Sequence, residues 1–304
     1  MRETFVSLAS GDGKSLATQW IQLGGGKPRV GILAGYSNSR SLIGVKNLTV
    51  NLENPEKRKI HHTQGVIVLF DSDSGFPKAI IEGITVSYAR TGADAAVASS
   101  LLSKREVRTV GIVGARDMAT HFLNCLVLLY SQIESVKVYS KSRVSSDNFA
   151  RKMNNSLNIE IDVCSHPREV AEMSDLIMTG TPSTTPIIMD DWIRPGTHLN
   201  WMGNRKEVDW NILSHSKVVT TIRDAGWITE AVSKGEIPKD PVYAGIGEIA
   251  THARKGREND NEITVYSSVA TGLLDLVLSS ALYDEAIKRG IGKKVDLFDG
   301  APAW

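Results

Sequence analysis

Two unlike patterns in this 304-residue sequence predict an α/β protein. From residue 107 to about 222, apolar strand-like runs alternate with helical segments, which is typical of a parallel sheet covered by helices on both faces. In the first 90 residues, strand-like runs follow one another through polar turns, which indicates a mixed or antiparallel sheet. We therefore predict a doubly wound, Rossmann-like parallel-sheet domain beside a separate α+β domain.

The parallel part begins with "VRTVGIV", a continuous apolar run typical of a strand buried on both faces. "MATHFLNCLVLLYSQI" has the length and spacing of a helix, and "SVKVYS" is the next strand. The helix in "SSDNFARKMNN" opens with serine and aspartate, which favour helix starts. The alternation continues through "IEIDVC", "PREVAEMS", "DLIMTGTPS", "THLNWMG", "KEVDWNILSHS" and "KVVTTI".

The flanking part lacks this alternation. "QGVIVLFDSDSGFPKAIIEGITVSYAR" contains strands joined by a polar turn, with no helix between them. Asp71, Asp73 and Glu82 have the spacing of a calcium loop, but the misplaced glycine and the strand-like flanks favour a hairpin. "TGADAAVASSLLSK" predicts a connecting helix, and "TGLLDLVLSSALYDEAIKRG" predicts a long helix that ends at Gly290 and packs on the first domain. The predicted domains are 1–104 with 263–304, and 105–262.

Composition excludes several classes of protein. Hydrophobic residues make up 41% of the chain and charged residues 23%, with no apolar run near the ~20 residues that span a bilayer. The N-terminal segment lacks a signal-peptide pattern, so we expect a cytoplasmic protein. A net charge of +1 argues against nucleic-acid and membrane partners. Cys125, Cys164 and the histidines lack metal-site spacing, so no metal is expected.

The turn in "VGIVGARDMATHF" predicts a dinucleotide site, although its middle glycine is replaced. Gly114 permits a tight turn, Ala119 a close helix approach, and the free N–H groups of the helix start attract a pyrophosphate. We predict that Arg116 offers its guanidinium to the phosphates; the alternative is that it points to solvent and weakens the site. The predicted cofactor contacts in this turn are Gly114, Ala115, Arg116, Asp117, Met118 and Ala119.

The second strand of this part predicts the kind of cofactor. NAD sites usually carry an acid there to bond the ribose hydroxyls. Here the strand is followed by Ser140, Lys141, Ser142 and Arg143, which suit a 2′-phosphate. NADP(H) is therefore favoured, with NAD(H) possible; an ordinary solvated turn is the alternative.

Seven motifs follow one another in the order and spacing of a known family. They are "GVKNLTVNLENP", "GVIVLFDSDSGFPKAIIEG", "ARTGADAAVASSLL", "GIVGARDMA", "TGTPSTTPII", "GNRKEVD" and "EITVYSSVATGLLDL". Over nearly its whole length the chain resembles the ornithine cyclodeaminase/mu-crystallin family. The resemblance implies a homodimer formed through a discontinuous substrate-binding and dimerisation domain, with the nicotinamide cofactor in the Rossmann domain. It also implies hydride transfer at the α-carbon of a small amino or imino acid.

The resemblance assigns roles to individual residues. Arg29, Lys46 and Arg90, each near a strand end, match the residues that hold the substrate carboxylate, and Lys46 is also placed to polarise the imine or move protons. Single basic residues are more often surface charges, and their spacing does not show whether they converge. The implied cofactor contacts elsewhere are Thr91 on a phosphate, the loop of Thr181, Pro182 and Ser183 beneath the nicotinamide, and Gly203.

Three positions depart from the family pattern. Asn204 stands where the family usually has its acidic catalytic residue, and asparagine can orient an amine but cannot take its proton. Ser267 and Ala270 replace a frequent lysine and glycine near the substrate, which predicts an unusual substrate. These departures favour an oxidoreductase over an ornithine cyclodeaminase, a lyase that converts L-ornithine to L-proline with bound NAD. A non-catalytic cofactor-binding protein is the third possibility.

Overall fold

The computed structural model describes residues 1–16, 18–24, 28–223 and 226–295. The last residues of the predicted first domain, 296–304, therefore lie outside the described part of the chain. An antiparallel sheet and a parallel sheet organise the fold. This arrangement confirms the predicted α/β class.

The antiparallel sheet has six strands in the order β1-β3-β4-β5-β6, with β2 also paired to β3. Strands β5 and β6 form a hairpin, as predicted for this stretch in preference to a calcium loop. Asp71 Oδ1 closes the turn of the hairpin by accepting the Ser74 N–H at 3.0 Å. The strands are β1 (Gly13–Ser15), β2 (Gln19–Gln22), β3 (Arg29–Ser37), β4 (Leu42–Val50), β5 (Thr63–Asp71) and β6 (Pro77–Glu82).

A long helix, α3 (Gly83–Leu102), joins the two sheets, so the strand predicted through "ITVSYAR" is wrong. The Glu82 carboxylate accepts the N–H groups of Ile84 and Thr85 at 2.6 and 2.8 Å, and this cap starts the helix despite the β-branched residues. Gly92 lets α3 approach α4 (Asp117–Leu126), because a Cβ there would lie 2.5 Å from the Phe122 nitrogen.

The parallel sheet has eight strands in the order β13-β12-β14-β11-β10-β7-β8-β9. From β7 the chain adds β8 and β9 towards one edge of the sheet, and it then adds β10 on the other side of β7. Such a switch point forms a ligand crevice at the carboxyl ends of the strands. The strands are β7 (Thr109–Val113), β8 (Ser135–Tyr139), β9 (Glu160–Val163), β10 (Leu176–Thr179), β11 (His198–Trp201), β12 (Lys217–Thr220), β13 (Ala244–Gly245) and β14 (Thr264–Ser267).

The helices of this part begin with α4, which ends at Leu126. The longer helix predicted there is wrong, because turns at 127–129 and 131–132 follow. Besides α4 they are α5 (Arg143–Leu157), α6 (Pro167–Met173), α7 (Gly226–Ser233), α8 (Ile246–Ala250) and two 3₁₀ turns, Asp190–Trp192 and Trp210–Ser214.

The final described helix, α9 (Gly272–Arg289), packs on β3 and β4 and ends at Gly290 with φ 65°, as predicted. Its contact needs small residues, since a Cβ on Gly272 would lie 2.7 Å from the Ala34 carbonyl carbon. The domain division stays a prediction. Strand β14 belongs to the parallel sheet, however, so the return towards the first sheet comes after Ser267 rather than at 262–263.

Two further helices, α1 (Arg2–Ser10) and α2 (Asn54–Lys57), complete the elements and were not predicted. Within the described residues, no helix is both long and apolar enough to cross a membrane.

Candidate active site

Helix α3 presents two functional faces because residues three and four apart lie one above the other. Ser87, Arg90 and Asp94 share the face that meets α9 and β14. Tyr88 and Thr91 belong to the side that turns towards α4 and the dinucleotide turn. One helix therefore carries predicted substrate and cofactor residues together.

The first face builds a buried charge cluster. Lys46 Nζ on β4 lies 3.0 Å from Asp275 Oδ1 on α9, and Arg90 Nε lies 3.3 Å from the same oxygen. Lys46 also donates to Ser87 Oγ. Lys46 and Asp275 are only 4% and 1% exposed. Two predicted substrate residues thus converge on a carboxylate that the sequence analysis did not identify.

This cluster carries an excess positive charge, because two cations share a single carboxylate. Burial lowers the pKa of the Lys46 ammonium, against the opposing effect of Asp275. Lys46 therefore releases a proton more readily than an exposed lysine. Two of its three N–H donors are engaged by Ser87 and Asp275, which leaves one for a ligand.

Arg29 is placed differently from the other two predicted cations. Its guanidinium carbon lies 4.4 Å from the ring centroid of Trp20, and the residue is exposed. The β3–β4 register puts Arg29 on the same sheet face as Lys46, since Leu33 pairs with Lys46 and Arg29 pairs with Val50. Among the described residues it contacts neither Lys46 nor Arg90. Its role in substrate binding stays a prediction.

Asp94 ties α3 to the parallel sheet. It accepts hydrogen bonds from the Tyr266 hydroxyl at 2.7 Å and from Ser268 Oγ. Tyr266 in turn contacts Thr221 Oγ1 at 2.9 Å. Burial raises the pKa of Asp94 in spite of these bonds. The network holds α3 against the carboxyl end of β14, and Arg90 lies one helical turn before Asp94.

The dinucleotide turn has the geometry that a pyrophosphate needs. Gly114 has φ +106°, and a Cβ there would lie 2.7 Å from the Gly180 carbonyl oxygen, so glycine is required. No described side chain caps the start of α4, which leaves its first N–H groups for an anion. Ala119 is buried beneath the turn, and Arg116 and Asp117 are exposed at its mouth. These residues fit a dinucleotide.

The charge of Arg116 acts on two residues outside the parallel sheet. Burial, the neighbouring His61 and then Arg116 lower the pKa of His62. Burial and Asp117 raise the pKa of Tyr88, and Arg116 opposes them. Tyr88 contacts His61 Nε2 at 2.6 Å. The charge of Arg116 therefore acts on His62, just before β5, and on Tyr88 of α3.

Of the four residues predicted to bind a 2′-phosphate, some are held by other protein groups and some are not. Ser142 Oγ caps α5 by accepting the Ser145 N–H at 3.3 Å, and Ser140 Oγ donates to the Ser142 carbonyl at 2.8 Å. Arg143 Nε pairs with Asp147 at 3.0 Å. Lys141 is exposed, and no described residue pairs with it. Lys141 is thus the cation most open to a ligand.

The loops after β10 and β11 are held together by Glu207. Its carboxylate accepts the N–H and hydroxyl of Thr181 at 2.7 and 2.6 Å and the N–H of Gly203 at 2.9 Å. Burial raises the pKa of this carboxyl. The Thr181 carbonyl accepts the Asn204 N–H at 2.8 Å, and the Ser183 N–H bonds to Thr181 Oγ1 at 3.2 Å. These hydrogen bonds fix the position of the loop of Thr181, Pro182 and Ser183, which the sequence analysis predicted to contact the nicotinamide.

Asn204 also has a local structural role. Its Oδ1 accepts the Lys206 N–H at 2.9 Å, so its Nδ2 donor is the group left for a substrate. Its catalytic role stays a prediction. In the part of the chain that the structure describes, no group of three or more histidine, cysteine or acidic side chains forms a metal site.

Sequence reasoning missed four residues of this crevice: Asp94, Arg205, Glu207 and Asp275. A lone acid within the apolar helix "GLLDLVL" was a usable signal for Asp275, because an unpaired buried carboxylate is unfavourable. Asp94 gave a similar signal in "TGADAAVA". Arg205 and Glu207 lie in a polar loop and gave none.

Comparisons with known proteins agree with this geometry. The ornithine cyclodeaminase/mu-crystallin family profile matches residues 3–290. An alanine dehydrogenase of Archaeoglobus fulgidus is 28% identical over 274 residues, which cover 88% of this chain and 82% of the relative. A Delta(1)-pyrroline-2-carboxylate reductase of Bacillus cereus is 27% identical over 277 residues, which cover 87% of this chain and 84% of the relative. The two relatives confirm the predicted oxidoreductase class.

Two solved structures share the whole fold. The Delta(1)-pyrroline-2-carboxylate reductase of Thermococcus litoralis, in complex with NADH and L-proline, superposes with a TM-score of 0.90 at 28% identity, covering 97% of this chain and 93% of that one. An archaeal alanine dehydrogenase dimer with bound NAD also gives 0.90 at 26% identity, covering 98% and 92%. The chain belongs to the ornithine cyclodeaminase/mu-crystallin family.

Proposed function

We propose that this oxidoreductase acts at the α-carbon of a small amino or imino acid and that it prefers NADP(H) to NAD(H). The buried Lys46–Arg90–Asp275 cluster carries the proposal, because its excess positive charge suits a substrate carboxylate beside the dinucleotide crevice. The solved relative that binds NADH with L-proline and the one that binds NAD support a nicotinamide cofactor beside a small amino acid; they do not bear on the preference for NADP(H). A bound nicotinamide supplies or accepts the hydride.

The chain's own residues orient the substrate and manage its proton. Arg90 holds the α-carboxylate through N–H donors not used by Asp275, and this fixes the α-carbon over the loops after β10 and β11. Lys46 donates a proton to the imine nitrogen during reduction, or accepts it during oxidation. Asn204 offers its amide N–H to the same substrate. A homodimer is proposed from the dimeric alanine dehydrogenase relative.

The preference for NADP(H) rests on Lys141, the open cation of the turn after β8. The test measures kcat/KM with NADPH and NADH for wild type, for Lys141→Ala and for the control Lys152→Ala on the exposed side of α5. A panel of 2-oxo acids with ammonium or methylamine, together with pyrroline and piperideine carboxylates, serves as substrate. We expect NADPH to be favoured in wild type and in the control but not in Lys141→Ala.

Three outcomes would contradict the proposal. An equal or greater kcat/KM with NADH in wild type removes the cofactor preference. Ammonia release from L-ornithine without net change in the cofactor would identify a cyclodeaminase. Tight cofactor binding without turnover across the panel would identify a non-catalytic binding protein.

A further inference from the structure

Arg205 is a cation of the crevice that the proposed chemistry does not use. It follows β11, and its Nη1 and Nη2 atoms donate to Ser267 Oγ and the Ser268 carbonyl, each at 3.0 Å. Its guanidinium carbon lies 5.1 Å from the ring centroid of Trp227. The small Ser267, which stands where the family often has lysine, leaves room for this guanidinium at the end of β14.

Among the described residues, the charge of Glu207 acts on Arg205, but no carboxylate pairs with it directly. Burial lowers its pKa to about 10, so it stays protonated at neutral pH. Within the described residues it forms no ion pair. Both oxygens of the nearby Glu207 carboxylate accept hydrogen bonds from Thr181 and Gly203 instead. A largely buried guanidinium without a carboxylate is unfavourable, and its remaining N–H donors form a planar fork suited to a carboxylate.

Arg205 and Arg90 lie at opposite ends of one short chain of contacts. Arg205 donates to the Ser268 carbonyl, and Ser268 Oγ donates to Asp94, which follows Arg90 by one turn of α3. Four residues of an α-helix span a rise of about 6 Å. These contacts connect the Arg205 guanidinium at the carboxyl end of β14, through Ser268 and Asp94, to the helix that carries Arg90.

We propose that Arg205 binds a second carboxylate of the substrate, so that the substrate is a dicarboxylic amino or imino acid. The inference rests on the proposed function: Arg90 and Lys46 take the α-carboxylate, and Arg205 takes the side-chain carboxylate. In the reductive direction, hydride from the reduced nicotinamide adds to the imine carbon and a proton adds to the nitrogen. The products are the dicarboxylic amino acid and the oxidised cofactor.

A binding experiment tests the proposal without turnover. Titration calorimetry compares succinate with butyrate, which has the same carbon count but a single carboxylate, on the protein saturated with NADPH. We expect succinate to bind at least tenfold more tightly to wild type. Arg205→Met, which keeps an apolar side chain of similar length, should reduce this ratio to about one, and the exposed neighbour variant Lys206→Met should leave it unchanged.

A kinetic experiment with the same variants tests the substrate class. Oxaloacetate and pyruvate, each with ammonium, give dicarboxylic and monocarboxylic imines. Arg205→Met should lower kcat/KM for the oxaloacetate imine by tenfold to a hundredfold and leave the pyruvate imine nearly unaffected. Arg205→Lys should retain part of the preference. An equal loss for both imines with cofactor affinity unchanged would make Arg205 a purely structural clamp and overturn the proposal.

The two experiments separate this inference from the proposed function. Discrimination of succinate without turnover of any imine would keep the second carboxylate site and reject the oxidoreductase proposal for this substrate class. Turnover of the pyruvate imine with no preference for succinate would keep the oxidoreductase and reject the site.

Discussion

The two cationic regions of the crevice hold their charge in opposite ways. Lys46 and Arg90 are buried and share the carboxylate of Asp275, whereas Arg116 is exposed at the start of α4 with no described carboxylate paired to it. A buried cation needs a fixed counter-ion, so the first region is rigid before a ligand arrives. An exposed guanidinium stays hydrated and adjusts to its ligand. Substitutions in the first region should therefore affect folding and binding together, and those in the second should affect binding alone.

The largest effect is expected for Asp275→Ala. Loss of the carboxylate leaves two buried cations without their partner, and breaking a buried ion pair in this way costs about 3–5 kcal/mol of stability. Urea unfolding followed by circular dichroism measures the change. Glu285→Ala is the matched control, because it breaks an exposed ion pair with Arg289 on the same helix and should cost less than about 1 kcal/mol. Equal unfolding midpoints for the two variants would contradict the contrast between the regions.

Arg90→Ala should have the next largest effect, this time on substrate binding. A charge-assisted hydrogen bond typically contributes ~1.5–3 kcal/mol, which corresponds to an affinity loss of about tenfold to a hundredfold. The substrate dissociation constant at saturating cofactor measures it. Arg29→Ala shows whether the exposed Arg29 belongs with the buried pair: a similar loss would support its predicted role, and an unchanged affinity would remove it from the site. Unchanged substrate affinity in Arg90→Ala would reject the carboxylate pocket.

The sequence predicted the cofactor turn better than the buried charge cluster, and the reasons are physical. The parallel sheet and the Gly114 turn follow from local patterns, because buried strands are continuously apolar and a positive φ requires glycine. The start of α3 was mistaken for a strand because the cap from Glu82 outweighs the propensity of a β-branched run. Asp275 lies more than 200 positions from Lys46 in the chain, so their pairing depends on how α9 packs on β4. No sequence spacing encodes that packing.

A moderate effect confined to cofactor binding is expected for Arg116→Gly. NADPH should bind about tenfold to a hundredfold more weakly, because the phosphates lose a charge-assisted contact worth ~1.5–3 kcal/mol. Titration calorimetry with NADPH and NADH measures it, and Arg116→Lys keeps the charge as a control. The unfolding midpoint at neutral pH should not change. If Arg116→Gly binds NADPH as well as wild type does, the arginine is a bystander at the turn.

The smallest effect reports where the Arg116 guanidinium lies. Burial, His61 and Arg116 lower the pKa of His62 from its ordinary value of 6.5. Since the unfolded chain then takes up the proton first, the folded protein should lose stability as the pH falls below 6.5 through the lower folded-state pKa. Arg116→Gly removes one of the three causes, so the pKa of His62 should rise and this acid destabilisation should shrink. NMR titration of the His62 ring protons measures the shift, with His62→Gln for assignment and Arg143→Gly as a control on the far side of the turn after β8. A His62 pKa that is the same in Arg116→Gly and in wild type would place the guanidinium away from the crevice, and the exposed region would then have no cation facing the first sheet at this point.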